Sequence, residues 1–201
     1  MFSQFAQGQL QWLPEIGIGY YPVTDAPYDA AYFEKYQQMS GTNIGLTLNA
    51  ARVKLVNKYT RGEVLDIGIG SGVFLGRKNP TFGYDINPVA VEWLKKNRLY
   101  REPWEGAESM TFWDSLEHIH DPTPYLQGCR TYAFVSCPIY ESAEHILCSK
   151  HYRKDEHCWY WTEEGLCRFM SYFGFELVEH NLMETEIGRE DIGTFVFKRT
   201  L

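Results

Sequence analysis

The stretch Val64-Leu65-Asp66-Ile67-Gly68-Ile69-Gly70-Ser71-Gly72 sets an acidic residue and alternating glycines at the end of an apolar run. A buried strand that ends in such a turn delivers free backbone N–H groups to the start of the next helix, and glycine lets a ligand come close to them. Asp85 stands 19 residues after Asp66, at the end of what reads as the following strand. A carboxylate there can accept hydrogen bonds from both hydroxyls of a ribose. A dinucleotide loop would follow G-x-G-x-x-G, but position 73 is Val. Asp66 would repel a pyrophosphate, whereas it suits the cationic amino group of a methionine-like ligand. Together these features favour S-adenosylmethionine over NAD, and they weigh against a glycine turn that binds nothing.

Asp114, Glu117 and His118 stand at i, i+3 and i+4. If the turn after the strand is helical they share one face. Three roles are open to them: bracing the loop, proton removal with His118 as base, or holding a divalent ion. We assign catalysis to His118, Glu117 and Asp114 and assign no metal. Cys137-Pro138 reverses the Pro-Cys order of a cytosine C5 nucleophile, so Cys137 reads as buried and inert. His145, Cys148, His151, His157 and Cys158 match no standard zinc spacing. The residues after Trp113 are D-S-L-E, with no Pro-Pro-aromatic sequence of the kind used to methylate amino groups of DNA bases.

Four stretches, VLDIGIGSG, GYDINPVAVEWL, TFWDSLEHIHDP and the run from Trp159 to Phe175 leading to FVFKR, resemble the class I S-adenosylmethionine-dependent methyltransferase superfamily. The likeness is to its small-molecule branch, which includes ubiquinone-biosynthesis O-methyltransferases. It implies an α/β, Rossmann-like, three-layer fold on a seven-stranded, mostly parallel sheet with an antiparallel last strand. It further implies that Asp66, Gly68, Gly70 and Gly72 hold the methionine end and Asp85 the ribose. Ile86 would flank the adenine, and Asp114 would stand beside the transferred methyl. The chain departs from the pattern in a short first helix, a shortened or missing third strand, and no clear acidic partner for the adenine. Glu105 and Glu108 are the candidates for that partner, with Trp104 as a stacking surface.

The elements that must position these groups are legible from periodicity. Tyr28–Met39 and Asn43–Tyr59 read as helices, the second with Ile44, Leu48, Ala51 and Leu55 on one face and a cap at Thr42 or Asn43. Strands are expected at Glu63–Ile67, Thr81–Tyr84, Ser109–Trp113, Thr131–Cys137, Phe175–Glu179 and Gly193–Lys198. Short helices follow the first two. Thr162 caps a further helix whose buried face is Leu166, Phe169, Met170 and Phe173 and which Gly174 ends. Residues 1–27 show no period and read as an irregular arm. Alternating strands and helices imply a parallel sheet covered on both faces. One structural domain is expected, with residues 1–60 covering the site and 61–201 binding the cofactor.

The chain has 201 residues, 44% hydrophobic and 16% aromatic, enough to build a core. Its net charge of −7 argues against binding to duplex DNA, which relies on clustered Lys and Arg. The basic run around Lys150–Lys154 is followed at once by Asp155 and Glu156 and reads as a solvated loop. No secretory leader and no membrane helix are expected, and the scattered cysteines suit a reducing, cytoplasmic setting. The expected partner is a small-molecule methyl acceptor, a sugar or nucleotide derivative among the options, and self-association is left open. An inactive cofactor-binding regulatory protein is the competing reading.

Overall fold

The computed structural model describes residues 3–4, 10–22 and 28–200. Parts of the N-terminal arm, residues 1–2, 5–9 and 23–27, lie outside the described residues. The main sheet has six strands in the order β5-β4-β6-β7-β10-β9. They are β4 (Val64–Ile67), β5 (Thr81–Tyr84), β6 (Ala107–Trp113), β7 (Cys129–Pro138), β9 (Phe175–Asn181) and β10 (Ile192–Arg199). β4, β5, β6 and β7 pair in parallel, and β10 runs antiparallel to both β7 and β9. The antiparallel last strand is therefore as expected. So is the shortening of the third strand, which is reduced to a single parallel bridge between Gly83 and Tyr100 and leaves six of the seven strands. Residues 98–106 supply the reason, because a left-handed Arg98 and a 3-10 turn at Pro103–Glu105 leave no run of extended residues to lie beside β5.

Central strands that are buried on both faces are apolar throughout, and Val64, Leu65, Met110, Phe112, Phe134 and Val135 are all essentially inaccessible. Each such side chain contributes about 1.5–3 kcal/mol by leaving water. The covering helices are α1 (Ala30–Ser40), α2 (Asn43–Tyr59), α3 (Val73–Arg77), α4 (Pro88–Lys96), α5 (Thr123–Gly128), α6 (Ala143–Cys148), α7 (Glu163–Tyr172) and α8 (Met183–Glu186). Their starts follow the chemistry of helix ends. Thr42 accepts from Gly45 N–H at α2, Pro88 opens α4, and Thr162 accepts from Gly165 N–H at α7.

The arm is not irregular where it is described. β1 (Ser3–Gln4), β2 (Gln11–Leu13) and β3 (Ile18–Tyr20) form a second, antiparallel sheet with β8 (Trp159–Trp161). These strands hold two or three residues each, too few for a period to emerge from the sequence. The small sheet packs Leu10, Trp12 and Tyr160 against Tyr140 and Ile146. It is tied to the end of β7 through a bridge between Ile139 and Trp161.

α2 also departs from its expected stripe. Leu55 is buried, but Ile44 is 57% exposed, and the buried polar residues Asn49 and Arg52 share the inner face. Ile44 and Leu48 line a cavity rather than the core. Apolar periodicity records which face avoids water, and it does not distinguish a core from the wall of a ligand site.

Candidate functional site

In an open parallel sheet a crevice forms where the strand order reverses. Here the chain runs from β4 to β5 on one side and returns to β6 on the other. Beyond the carboxyl ends of β4 and β6 lies a cavity of about 520 Å³, within the range of small-molecule sites.

The glycine loop forms its floor. Gly68, Gly70 and Gly72 all have positive φ. At Gly72, φ is +76° and an added Cβ would stand 2.7 Å from the Trp93 ring, so glycine is required there twice over. Asp66 is 1% exposed, lines the cavity, and accepts a hydrogen bond from the Thr111 hydroxyl at 2.6 Å. Burial raises its carboxyl to about 7, against the lowering effects of Thr111 and Arg52. Asp85 ends β5 and accepts from Ile69 N–H at 3.0 Å and Asn87 N–H at 2.8 Å. Its pKa is raised by burial, and these backbone bonds oppose the shift. Those two bonds leave it capacity for a ribose, since a carboxylate offers about four acceptor positions. Ile86 is 56% exposed at the cavity rim, where it could flank an adenine.

The expected adenine partners fall elsewhere. Glu105, Glu108 and Trp104 line no part of the cavity. Glu108 accepts from the Thr60 hydroxyl at 2.7 Å at the amino end of β6, while Trp104, 63% exposed, meets the ring of the cavity-lining Tyr84 edge to face at 6.3 Å. The cavity instead opens at the carboxyl ends, and Tyr84, Ile119 and Tyr125 line it beside Ile86.

α1 and α2 roof the site. The Ser40 hydroxyl donates to the Ser71 hydroxyl at 2.6 Å, which ties the end of α1 to the glycine loop. Tyr28, Tyr32 and Tyr36 form one wall, with Tyr32 and Tyr36 joined through their hydroxyls at 3.2 Å.

Asp114, Glu117 and His118 do not share a helical face. Asp114 has φ +54°, and only Leu116–His118 form a 3-10 turn. Both Asp114 oxygens are taken by arginines: Arg189 donates to Oδ1 at 2.9 Å and to Oδ2 at 2.7 Å, and Arg52 donates to Oδ2 at 3.1 Å. Burial alone would raise its pKa, but Arg189 and Arg52 outweigh it and hold the carboxyl at about 2. Glu184, fully buried, accepts from both arginines. Asp114 is thus an anion fixed in an ion network at the cavity wall, its carboxyl held in the ionised form by Arg189 and Arg52.

Glu117 and His118 meet His157 instead. The ligand-capable atoms of these three side chains all lie within 4.8 Å of one another, and all three line the cavity. The rings of His118 and His157 meet edge to face at 4.5 Å. His118 Nδ1 lies 3.1 Å from the Tyr28 hydroxyl. Glu117 is 1% exposed and neither of its oxygens has a partner; His157 is 4% exposed and its Nδ1 has none. Burial, then the Asp114 charge, pushes Glu117 well above the usual carboxyl range. Burial lowers His118, and burial together with His118 takes His157 down to about 2. In each of the three groups burial opposes the charged form. The small sheet places His157: Cys158, the next residue, donates its N–H at 2.8 Å and its thiol at 3.1 Å to the Glu117 carbonyl.

His145 and His151 have backbone partners away from this cluster. His145 Nδ1 accepts from Glu141 N–H, and His151 Nε2 contacts the Glu190 carbonyl. Cys137 is inaccessible, and burial raises its thiol well above the usual value.

Residues 46–180 match the family model described as "Methyltransferase domain". The chain belongs to this family. It is an S-adenosylmethionine-dependent methyltransferase domain on a Rossmann-like fold. No curated protein matches its sequence. Solved structures show the fold. A Haloferax volcanii protein in complex with the Trm112 methyltransferase activator has a TM-score of 0.63 at 13% identity, covering 85% of this chain and 95% of that one. Magnesium protoporphyrin IX methyltransferase from Synechocystis PCC 6803, with bound S-adenosylhomocysteine, has a TM-score of 0.62 at 12% identity, covering 86% and 96%. A Burkholderia thailandensis 1,6-didemethyltoxoflavin-N1-methyltransferase, with bound 1,6-didemethyltoxoflavin and S-adenosylhomocysteine, has a TM-score of 0.54 at 15% identity, covering 92% and 96%.

Sequence reading missed Arg52, Glu184 and Arg189, because nothing local pairs an arginine with carboxylates 62, 75 and 132 positions away. It set His157 only among histidines and cysteines without zinc spacing, since its link to Glu117 depends on β8, a strand of three residues.

Proposed function

We propose that this methyltransferase domain binds S-adenosylmethionine across the glycine loop and methylates a small acceptor, a sugar or nucleotide derivative among the candidates. Asp66 receives the methionine ammonium, Gly68, Gly70 and Gly72 let the cofactor backbone approach, Asp85 holds the ribose and Ile86 flanks the adenine. The acceptor fills the rest of the cavity, between the tyrosines of α1 and the Glu117–His118–His157 cluster. Residues 1–60 act as the cover. Methyl transfer is an in-line displacement, so the protein must align the acceptor and deal with its proton. The cluster does the second task, and Asp114 holds Arg52 and Arg189 in place.

The observation that carries this reading is that one cavity joins the glycine loop to the buried, unpaired polar groups of Glu117 and His157. The test has two parts. Titration calorimetry with S-adenosylmethionine is expected to give one site per chain, weakened by Asp85→Ala by about 1.5–3 kcal/mol, as for hydrogen bonds to a charged group. Incubation with fractionated metabolites is then expected to yield S-adenosylhomocysteine from at least one fraction. Cofactor binding without turnover in any fraction would favour the regulatory reading instead.

A further inference from the structure

A buried carboxyl or imidazole without a hydrogen-bond partner is costly, and native proteins keep few of them. Glu117 leaves two such atoms and His157 a third, all inaccessible to solvent. The fold nevertheless holds the three side chains rigidly together. Glu117 and His118 are adjacent in a 3-10 turn, and the Glu117 carbonyl accepts from Cys158. His157 is further fixed by its own N–H, which donates to the Arg153 carbonyl at 2.7 Å. No two of these groups are hydrogen-bonded to each other, yet their ligand-capable atoms converge within 4.8 Å. A single species that bonds to all of them at once would satisfy the set, and a cation with open orbitals does so where a water, with two protons to give, serves only some.

We propose that Glu117, His118 and His157 form a binding site for one divalent first-row transition ion of the zinc class, open to the acceptor side of the cavity. The donor set selects the ion. Two imidazoles and one carboxylate suit zinc, iron or cobalt, whereas magnesium and calcium prefer oxygen alone. Three protein ligands leave at least one position free, as in catalytic rather than structural sites. That position faces the cavity, because all three ligands line it. Bonds of about 2.0–2.2 Å to such an ion set ligand atoms roughly 3.4 Å apart, so the ligands close in by about an ångström on binding. The Tyr28 hydroxyl at 3.1 Å from His118 Nδ1 is the kind of outer contact that fixes the plane of a ligating imidazole. The nearby ions do not compete for the site: both Asp114 oxygens are held by arginines, and Arg153 is paired with Glu156 at 3.3 Å.

The proposal deepens the reading of this cavity as an acceptor site, and its test is independent of cofactor and acceptor. Full-length protein stripped with chelator and dialysed is titrated with Co²⁺ alone. One equivalent is expected to bind with visible d–d absorption, to be displaced by Zn²⁺, and to shift two imidazole N–H proton resonances outside the diamagnetic range. Glu117→Gln, His118→Gln and His157→Gln are each expected to weaken Co²⁺ binding by roughly a hundredfold or more, beyond the 10–100-fold loss of an outer contact. His118→Gln and His157→Gln should each remove one shifted resonance. His118 is partly exposed, so its variant keeps the test valid should a core variant fail to fold. Absence of Co²⁺ absorption in wild type, or binding that survives in every folded variant, overturns the site. S-adenosylmethionine titrated into the same metal-free protein separates the two readings. Cofactor binding without Co²⁺ binding removes only the metal site, and Co²⁺ binding without cofactor binding removes the methyl-transfer reading.

Discussion

Asp66, buried, and Asp114, half-buried, lie on neighbouring strand ends with Arg52 nearby, yet their pKa values shift in opposite directions. Asp114 is bonded directly to Arg52 and Arg189 and is held at about 2. Asp66 accepts only a neutral hydroxyl, so burial prevails and raises it to about 7. Two outcomes follow from the signs. An ammonium docked on Asp66 favours the carboxylate, so the complex carries fewer protons than the free protein. Cofactor affinity is expected to rise about tenfold from pH 6 to pH 8 and then level off, and Asp66→Asn should flatten that dependence. Calorimetry in buffers of different ionisation heat checks it by counting the proton released. Asp114 behaves as a depressed acid. Its contribution to stability is complete above pH ~4 and is lost as pH falls toward ~2. Asp114→Asn leaves two arginines short of a counter-charge, and a loss of about 3 kcal/mol is expected at pH 7, the low end for breaking a buried pair. Urea unfolding at pH 7 and pH 3 measures both, and the variant should lose less than wild type on acidification.

The β4–α3 turn works only with its glycines. Gly72→Ala forces a side chain into a left-handed backbone and against Trp93, and a loss of about 1–3 kcal/mol is expected, with weaker cofactor binding because the N–H groups of the loop move. Thermal unfolding and cofactor titration should report the two effects together. The short strands matter as much. β8 owes its place to β3 on one side and to the Ile139–Trp161 bridge on the other, and it delivers His157 to Glu117. Shortening Trp161, a fully buried side chain, is expected to cost about 3–5 kcal/mol. A milder Trp161→Phe should retain cofactor binding, which rests on β4 and β5, while lowering turnover. Equal losses in both would show that the small sheet does not position the acceptor side separately.

The chain carries 26 acidic against 19 basic side chains, and in its basic run Lys150, Arg153 and Lys154 pair with Glu190, Glu156 and Asp155, which disfavours a nucleic-acid backbone. Submicromolar binding to duplex DNA is not expected even at low salt, and a gel-shift titration tests this. Among the described residues no helix is long and apolar enough to cross a membrane. The central β-α-β alternation, the glycine loop, Asp85 and the helix caps were legible in the sequence because each rests on interactions within a few residues: strand burial, turn dihedrals, dipoles at helix ends. Val64–Ile67, Thr81–Tyr84 and Thr162 stand where those local rules put them. What the sequence could not decide was everything set by contacts across the fold. It set Ile44 and Leu48 on one face with Leu55, because the wall of a cavity and the side of a core leave the same apolar period. It set Asp114 beside Glu117 and His118 because they are close along the chain. The tertiary structure withdrew Asp114 into a pair with Arg189, 75 residues on, and brought up His157 through a three-stranded detour of the N-terminal arm. Charge pairing and the convergence of buried polar groups depend on distance in space, and a sequence records distance only along the chain.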